Sequence, residues 1–187
     1  MNLIDRVKNI LITPKTEWLV IKTENSSVSS LLTGYVLPLA LIPAIITLLT
    51  GLLWTTITLG LITAIIALVS AIISFYVATY VTDALAPSFS SEKNLNRSAQ
   101  LVAYSYTASA IASILGIIPG LGILVIIAGF VYSIYLMYLG TGPIKNTPEE
   151  KRVGYVIVII LIQIVLYFIL SSIFAALILR NFYYTPY

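Results

Sequence analysis

The chain has 187 residues, 59% of them hydrophobic and 9% charged, with a formal net charge of +3 and a mean hydropathy of +1.03. It contains no histidine and no cysteine, which excludes imidazole acid–base chemistry, thiol nucleophiles, disulfides and zinc sites of the usual kind. An ordinary soluble domain carries about 25% charged residues; here Lys and Arg sit beside apolar runs, where they orient helices and meet anionic lipid, so no nucleic-acid role is expected.

In chain order, Leu3, Ile4, Val7, Ile10 and Leu11 recur at helical spacing, with Asp5, Arg6, Lys8 and Asn9 placed on the other side. This predicts an amphipathic helix lying in the membrane interface, or else a docking surface for a cytosolic partner. Thr13-Pro14 breaks it and starts a second short helix carrying Trp18, Leu19 and Ile21. Five apolar runs follow: Leu31–Leu53, Leu59–Thr82, Leu101–Ile118, Ile123–Leu139 and Tyr155–Leu179. About 20 apolar residues cross a hydrocarbon core of about 30 Å, so each run is near or above a spanning length.

These runs predict an all-α integral membrane protein with five transmembrane helices, arranged as two hairpins plus a fifth helix. Residues 1–30 are expected to form the interfacial segment, 31–180 the membrane domain and 181–187 a short exterior tail. The first run is expected to be a retained anchor, because a polar segment precedes it and no small-residue cleavage site is evident. Lys and Arg fall on alternate sides. Arg6, Lys8, Lys15, Lys22, Lys93, Arg97, Lys145, Lys151 and Arg152 lie on one side, and only Arg180 lies on the other. The positive-inside rule then puts the amino terminus in the cytoplasm and the carboxyl terminus outside the cell membrane.

The links carry turn chemistry. Pro119-Gly120-Leu121-Gly122 predicts a tight turn between helices three and four. Runs one and two are expected to turn near Gly51, with Trp54 at the outer interface. Thr147-Pro148-Glu149-Glu150 reads as a capping box opening helix five, and Arg180 to Tyr184 as an aromatic belt at its far end.

Few residues can carry chemistry. Asp83 is the one carboxylate touching an apolar run. Tyr76, Tyr80, Tyr104, Tyr106, Tyr132 and Tyr135 fall at a similar depth, with Arg97 nearby, which suggests a polar cluster that serves as a proton or ligand site or is simply an interfacial belt. A structural Asp83 would tolerate conversion to Asn with unchanged or higher stability. Pro38 and Pro43 remove backbone donors in run one and predict a kink. Ser105, Ser109, Ser113 and Gly116 form a small-residue ridge for helix packing, and Gln163 is the one amide in a span centre, suited to bonding another helix or a second copy. No catalytic, cofactor or metal set emerges, so the chain is not expected to be an enzyme.

The segments RVKNILITPKTEW, TGYVLPLALIPAI, LVAYSYT, IPGLGIL and TPEEKRVGY, in this order, resemble the prokaryotic branch of the Yip family, the Ypt/Rab-interacting membrane proteins, over essentially the whole chain. The resemblance implies a five-helix membrane protein with a cytosolic amino terminus; eukaryotic relatives bind prenylated Rab GTPases and associate with one another. Their Asp-Leu-Tyr-Gly-Pro motif is missing from this amino-terminal segment, and Asp83-Ala84-Leu85-Ala86-Pro87 is a superficial echo, so GTPase binding is not expected to carry over. Thr107-Ala108 replaces the Thr-Pro common in relatives, which predicts one kink fewer, and Phe89-Ser90 replaces a Phe-Gly step. The expected function is that of a membrane organiser or adaptor binding other membrane proteins. The competing reading is a small transporter or lipid-handling channel built around Asp83.

Overall fold

The computed structural model describes residues 2–183, with side chains through Leu179, and every regular element among them is helical. Five helices are long and apolar enough to cross a membrane: Val28–Trp54, Ile57–Phe89, Leu95–Ile117, Gly122–Lys145 and Glu149–Leu179. The aromatic belt expected from Arg180 to Tyr184 lies outside the described side chains.

Two short helices precede the spans. Helix α1 (Leu3–Ile12) is capped by Asn2, whose side chain accepts from the Asp5 N–H at 2.8 Å. Pro14 opens α2 (Pro14–Thr23), where its missing N–H costs nothing. The first span begins with α3 (Val28–Leu31), which has a Ser27/Ser30 capping box, and passes through one π-helical turn (Leu32–Val36) into α4 (Leu37–Trp54). That turn accommodates Pro38: the Leu37 N–H reaches back to the Leu32 carbonyl, and the wider turn relieves the crowding that the proline ring would cause. Pro43 sits inside α4, where Thr47 donates to its carbonyl at 2.7 Å.

Helix α5 (Ile57–Leu85) starts after a Thr55-Thr56 turn, with Thr56 as its cap. Here the chain turns closely enough that a Cβ on Gly51 would overlap the Gly60 backbone. The third span is assembled from α6 (Leu95–Ser105), α7 (Thr107–Ala112) and a 3₁₀ turn (Ser113–Ile117). Its break at Tyr106 is present although Ala108 stands where a proline was expected; the Thr107 hydroxyl donates to the Tyr104 carbonyl at 2.7 Å beside it. Gly120, with φ of +79°, supplies the left-handed residue of the next turn, and Gly122 opens α8 (Gly122–Lys145) against the Gly116 backbone. The last helix is α9 (Glu149–Tyr183). Thr147, expected as its cap, instead turns its hydroxyl to Ser91 at 2.9 Å.

Packing is uneven along the bundle. The end carrying the basic links, called the basic end below, holds the buried core of Ile10, Trp18, Ile21, Tyr35, Leu101, Leu136, Ile144, Tyr155 and Ile159. Towards the other end, residues such as Leu61, Ile65, Ile123, Ile127, Val165 and Phe168 are exposed. In lipid such surface needs no cover, since acyl chains are as apolar as the side chains they touch.

The amino-terminal segment does not lie free. The α1–α2 hairpin packs along the bundle against α8 and α7 and meets α6 through Trp18 and Tyr104, with Trp18 and Ile21 wholly buried. Arg6, expected on the polar side, is buried as well. At 100° per residue it borders the stripe of Leu3, Val7 and Ile10, about 40° beyond Ile10, close enough to turn inward beside them.

Candidate functional site

Two polar clusters occupy the basic end. In the first, the Arg6 guanidinium bridges Glu17 and Glu24 with one nitrogen each. Arg6 and Glu17 are buried, while Glu24 is partly open. The guanidinium also sits over the Tyr104 ring, 5.2 Å from its centroid. Tyr104 in turn makes edge contacts with Trp18 at 6.2 Å and Tyr35 at 4.7 Å. Because Thr107 spends its proton on the Tyr104 carbonyl, the Tyr35 hydroxyl donates to Thr107 at 2.7 Å.

The carboxyl end of α2 is finished from another helix. Arg97 donates to the Glu24 carbonyl at 3.2 Å and to Gln100 Oε1 at 3.0 Å, and Gln100 Nε2 donates to the Glu24 carbonyl at 3.0 Å. Carbonyls that a helix end leaves orphaned thereby gain donors, one of them cationic. Two clefts of about 300 Å³ each flank Glu24. One is polar, lined by Asn25, Ser26, Ser27, Asn94, Asn96 and Arg97. The other runs between α1 and the π-helical turn, over Leu3, Arg6, Leu31, Gly34, Tyr35 and Tyr104.

The second cluster joins α5, α6 and α8. Lys145, whose side chain is fully buried, donates to Ser98 Oγ at 2.6 Å and the Asn94 carbonyl at 3.3 Å, and lies 3.5 Å from Asp83 Oδ1. Ser98 donates on to Asp83 at 3.2 Å, and Asp83 is 14% exposed. Tyr155 of α9 closes the seam, its hydroxyl donating to the Thr82 carbonyl and its ring stacked on Phe89 at 5.0 Å. The Thr79 and Thr82 hydroxyls are buried without a hydrogen-bond partner among the described residues.

The residues expected around Asp83 are divided between places. Arg97 and Tyr104 belong to the first cluster. Tyr76 packs on Phe75 at 5.7 Å, and Tyr80 is exposed. Tyr132 donates to the Leu11 carbonyl at 2.7 Å and contacts Tyr135, which is itself exposed. Asp83 instead meets Lys145 and Ser98. Sequence depth places residues in a layer, but not around its circumference, and this is why the phenols do not converge. Among the packing residues, Ser109 pairs with Ser133 at 2.8 Å, Ser113 donates to the Ala110 carbonyl at 2.6 Å, and a Cβ on Gly116 would meet Ile126 at 2.9 Å. Ser105 Oγ is buried and has no hydrogen-bond partner among the described residues. Gln163 is half-buried and makes no side-chain hydrogen bond among the described residues.

Sequence reasoning missed Lys145, Ser98, Tyr155 and the Arg6–Glu17–Glu24 bridge. Two signals pointed there: Lys145 ends one span as Asp83 ends another with opposite charge, and Arg6 borders an apolar stripe.

Five apolar helices with polar clusters gathered at one end define a multi-pass helical membrane protein. Residues 8–173 match the Yip1 domain, and the chain belongs to that family. No curated protein and no solved structure matches it.

Proposed function

We propose that this protein is a non-enzymatic membrane organiser, an adaptor of the cell membrane that binds other membrane proteins or a second copy of itself through its basic end, which faces the cytosol. The observation that carries this reading is the docking of α1–α2 onto the bundle through a buried Arg6–Glu17–Glu24 bridge. It turns what would be a loose leader into a fixed platform with two clefts at its top. A fixed, polar, concave surface favours recognition, and the charges buried beneath it, Arg6 and Glu17, are bonded to each other and not aimed at a substrate.

A photo-crosslinking residue at Asn96, exposed beside the polar cleft, should capture discrete membrane-protein partners from native membrane. The same group at Leu161, on the exposed flank of α9, should capture lipid. Equal, diffuse labelling from both positions would sink the adaptor reading.

A second reading, a small transporter or lipid-handling channel, rests on Asp83 and on the Thr79 and Thr82 hydroxyls of the same helix, which have no hydrogen-bond partner among the described residues. It predicts a transport or lipid-exchange activity in reconstituted vesicles that Asp83→Asn abolishes.

A further inference from the structure

The exposed apolar belt has different heights on different flanks of the bundle. On α9 it runs from Ile157 to Leu179, about 33 Å at 1.5 Å per residue, which matches a hydrocarbon core of about 30 Å. On α4 it runs only from Leu41 to Trp54, and on α8 from Ile123 to Tyr135, about 20 Å and about 18 Å.

Nearer the basic end, the surface between those two helices turns polar. The exposed residues of the first span before Leu41 are Ser29, Ser30, Thr33 and Gly34. Helix α8 exposes nothing from Leu136 to Lys145, where α2, α6 and α9 pack against it. The hairpin shows its own outer face there, with Lys8, Lys15 and Thr16 exposed among Ile12, Leu19 and Val20. Neither lysine makes a hydrogen bond or ion pair among the described residues.

Contacts between helices fix the depth of this polar surface. Trp18 lies against Gly140, so Thr16 and Lys15, nearer the bend, sit about 11–12 Å below Lys145. The Leu11 carbonyl accepts from Tyr132, which places Lys8 about 15 Å below Lys145. Tyr35 bonds Thr107, and Ser98 on the same span bonds Lys145, so Thr33 lies about 10 Å below Lys145. Tyr155, bonded to Thr82 beside Asp83, is level with Lys145, and the belt of α9 begins at Ile157, about 3 Å lower. The two lysines are thus about 9–12 Å inside the level where hydrocarbon starts on α9. A four-carbon stem cannot lift its ammonium that far. Hydrocarbon at full thickness on this flank would bury two unpaired charges, whereas a bilayer meets a short apolar belt by thinning, at modest cost per Å.

We propose that the sector between α4 and α8 at the basic end is a polar window one leaflet deep. The bilayer thins against it, and hydrated phospholipid headgroups, zwitterionic ones included, descend to Lys8, Lys15 and the Ser29–Thr33 row. The α9 flank holds the bilayer at full thickness, so one protein grades membrane thickness around its circumference. The window stands apart from the adaptor reading, because its ligand is the bilayer itself.

With no native cysteine, single spin labels can compare the two flanks at matched depth. Thr16→Cys and Thr33→Cys report the window. Leu161→Cys and Val165→Cys, on exposed positions of α9 about 9 Å and about 15 Å below Tyr155, report the other flank. In the full chain in phosphatidylcholine nanodiscs, the ratio of nickel-chelate to oxygen accessibility should be several-fold higher at Thr16 and Thr33. The Thr16 label should also relax the lipid phosphorus resonance several-fold more than the Val165 label does. Equal nickel exclusion at all four positions would overturn the proposal, since hydrocarbon would then reach the same height on both flanks. Nickel access at all four would overturn it by placing the whole basic half in water. Nickel access at Thr16 and Thr33 without the phosphorus effect would overturn the descent of headgroups.

Discussion

Trp18 fills the notch that Gly140 leaves in α8. A Cβ at Gly140 would come within 2.8 Å of indole atoms Cε2 and Cζ2 and 2.6 Å of Leu101 Cδ1. The indole is wholly buried and rigid, so it cannot yield as a flexible chain end would. Gly140→Ala should destabilise the docked hairpin by about 1–3 kcal/mol through overpacking. Thermal unfolding in detergent, together with protease cutting near Lys15, reads the effect. Trp18→Ala removes the obstacle, so the two changes combined should cost less than their sum. Strict additivity would mean that the notch does not hold the indole.

The Arg6 bridge predicts an asymmetry between single and paired changes. Arg6→Met leaves Glu17 buried and unpaired, at a cost of about 3–5 kcal/mol. Replacing Arg6 and Glu17 together by Met removes the stranded charge; Glu24, 32% exposed in its side chain, can rehydrate. The double variant should be more stable than Arg6→Met, as measured by detergent melting. A double variant as weak as the single one would show that the bridge is not what docks the hairpin.

Lys145 reverses what Asp83 alone would suggest. An isolated carboxylate at a helix end tolerates conversion to Asn. Here the change leaves a fully buried ammonium without its counter-ion. Asp83→Asn should therefore lower stability, by about 1–3 kcal/mol because Asp83 itself keeps some solvent. Adding Lys145→Met should recover much of the loss. No loss in Asp83→Asn would indicate that water or lipid phosphate satisfies Lys145 instead.

Orientation is testable without any structure. The nine-to-one distribution of Lys and Arg predicts that a reporter fused after Tyr187 behaves as exported, and one fused before Met1 as cytosolic. Cytosolic activity of the carboxyl-terminal fusion would refute the orientation or the number of crossings.

The five spans, the glycine turn at Gly120 and the break at Pro14 were legible because each is written in consecutive residues: run length, a left-handed position, a missing N–H. The partners of Asp83 were not. Asp83, Ser98 and Lys145 come from three helices, and their meeting depends on how those helices rotate about their axes, which apolar runs covered on all sides by lipid or protein do not encode. Arg6 was an avoidable miss, since its angular position already placed it at the edge of the stripe of Leu3, Val7 and Ile10, next to Ile10. What hid it was the habit of assigning charge to the wet side, which fails when two carboxylates wait on a neighbouring helix.

Near the basic end α9 is gripped through Tyr155, Val156 and Ile159, all buried. From Leu161 to Leu179 only Gln163 and the stripe of Ile162, Leu166, Leu170, Phe174 and Ile178 are even half-covered. Clamped at one end and resting on a single row of side chains, this helix is a cantilever about 28 Å long at 1.5 Å per residue. Tilting it by about 10° at the clamp would move its tip by about 5 Å, with every backbone hydrogen bond along the arm intact. Any partner that shifts the Tyr155–Thr82 contact thus acts on a lever whose far end reaches the opposite leaflet.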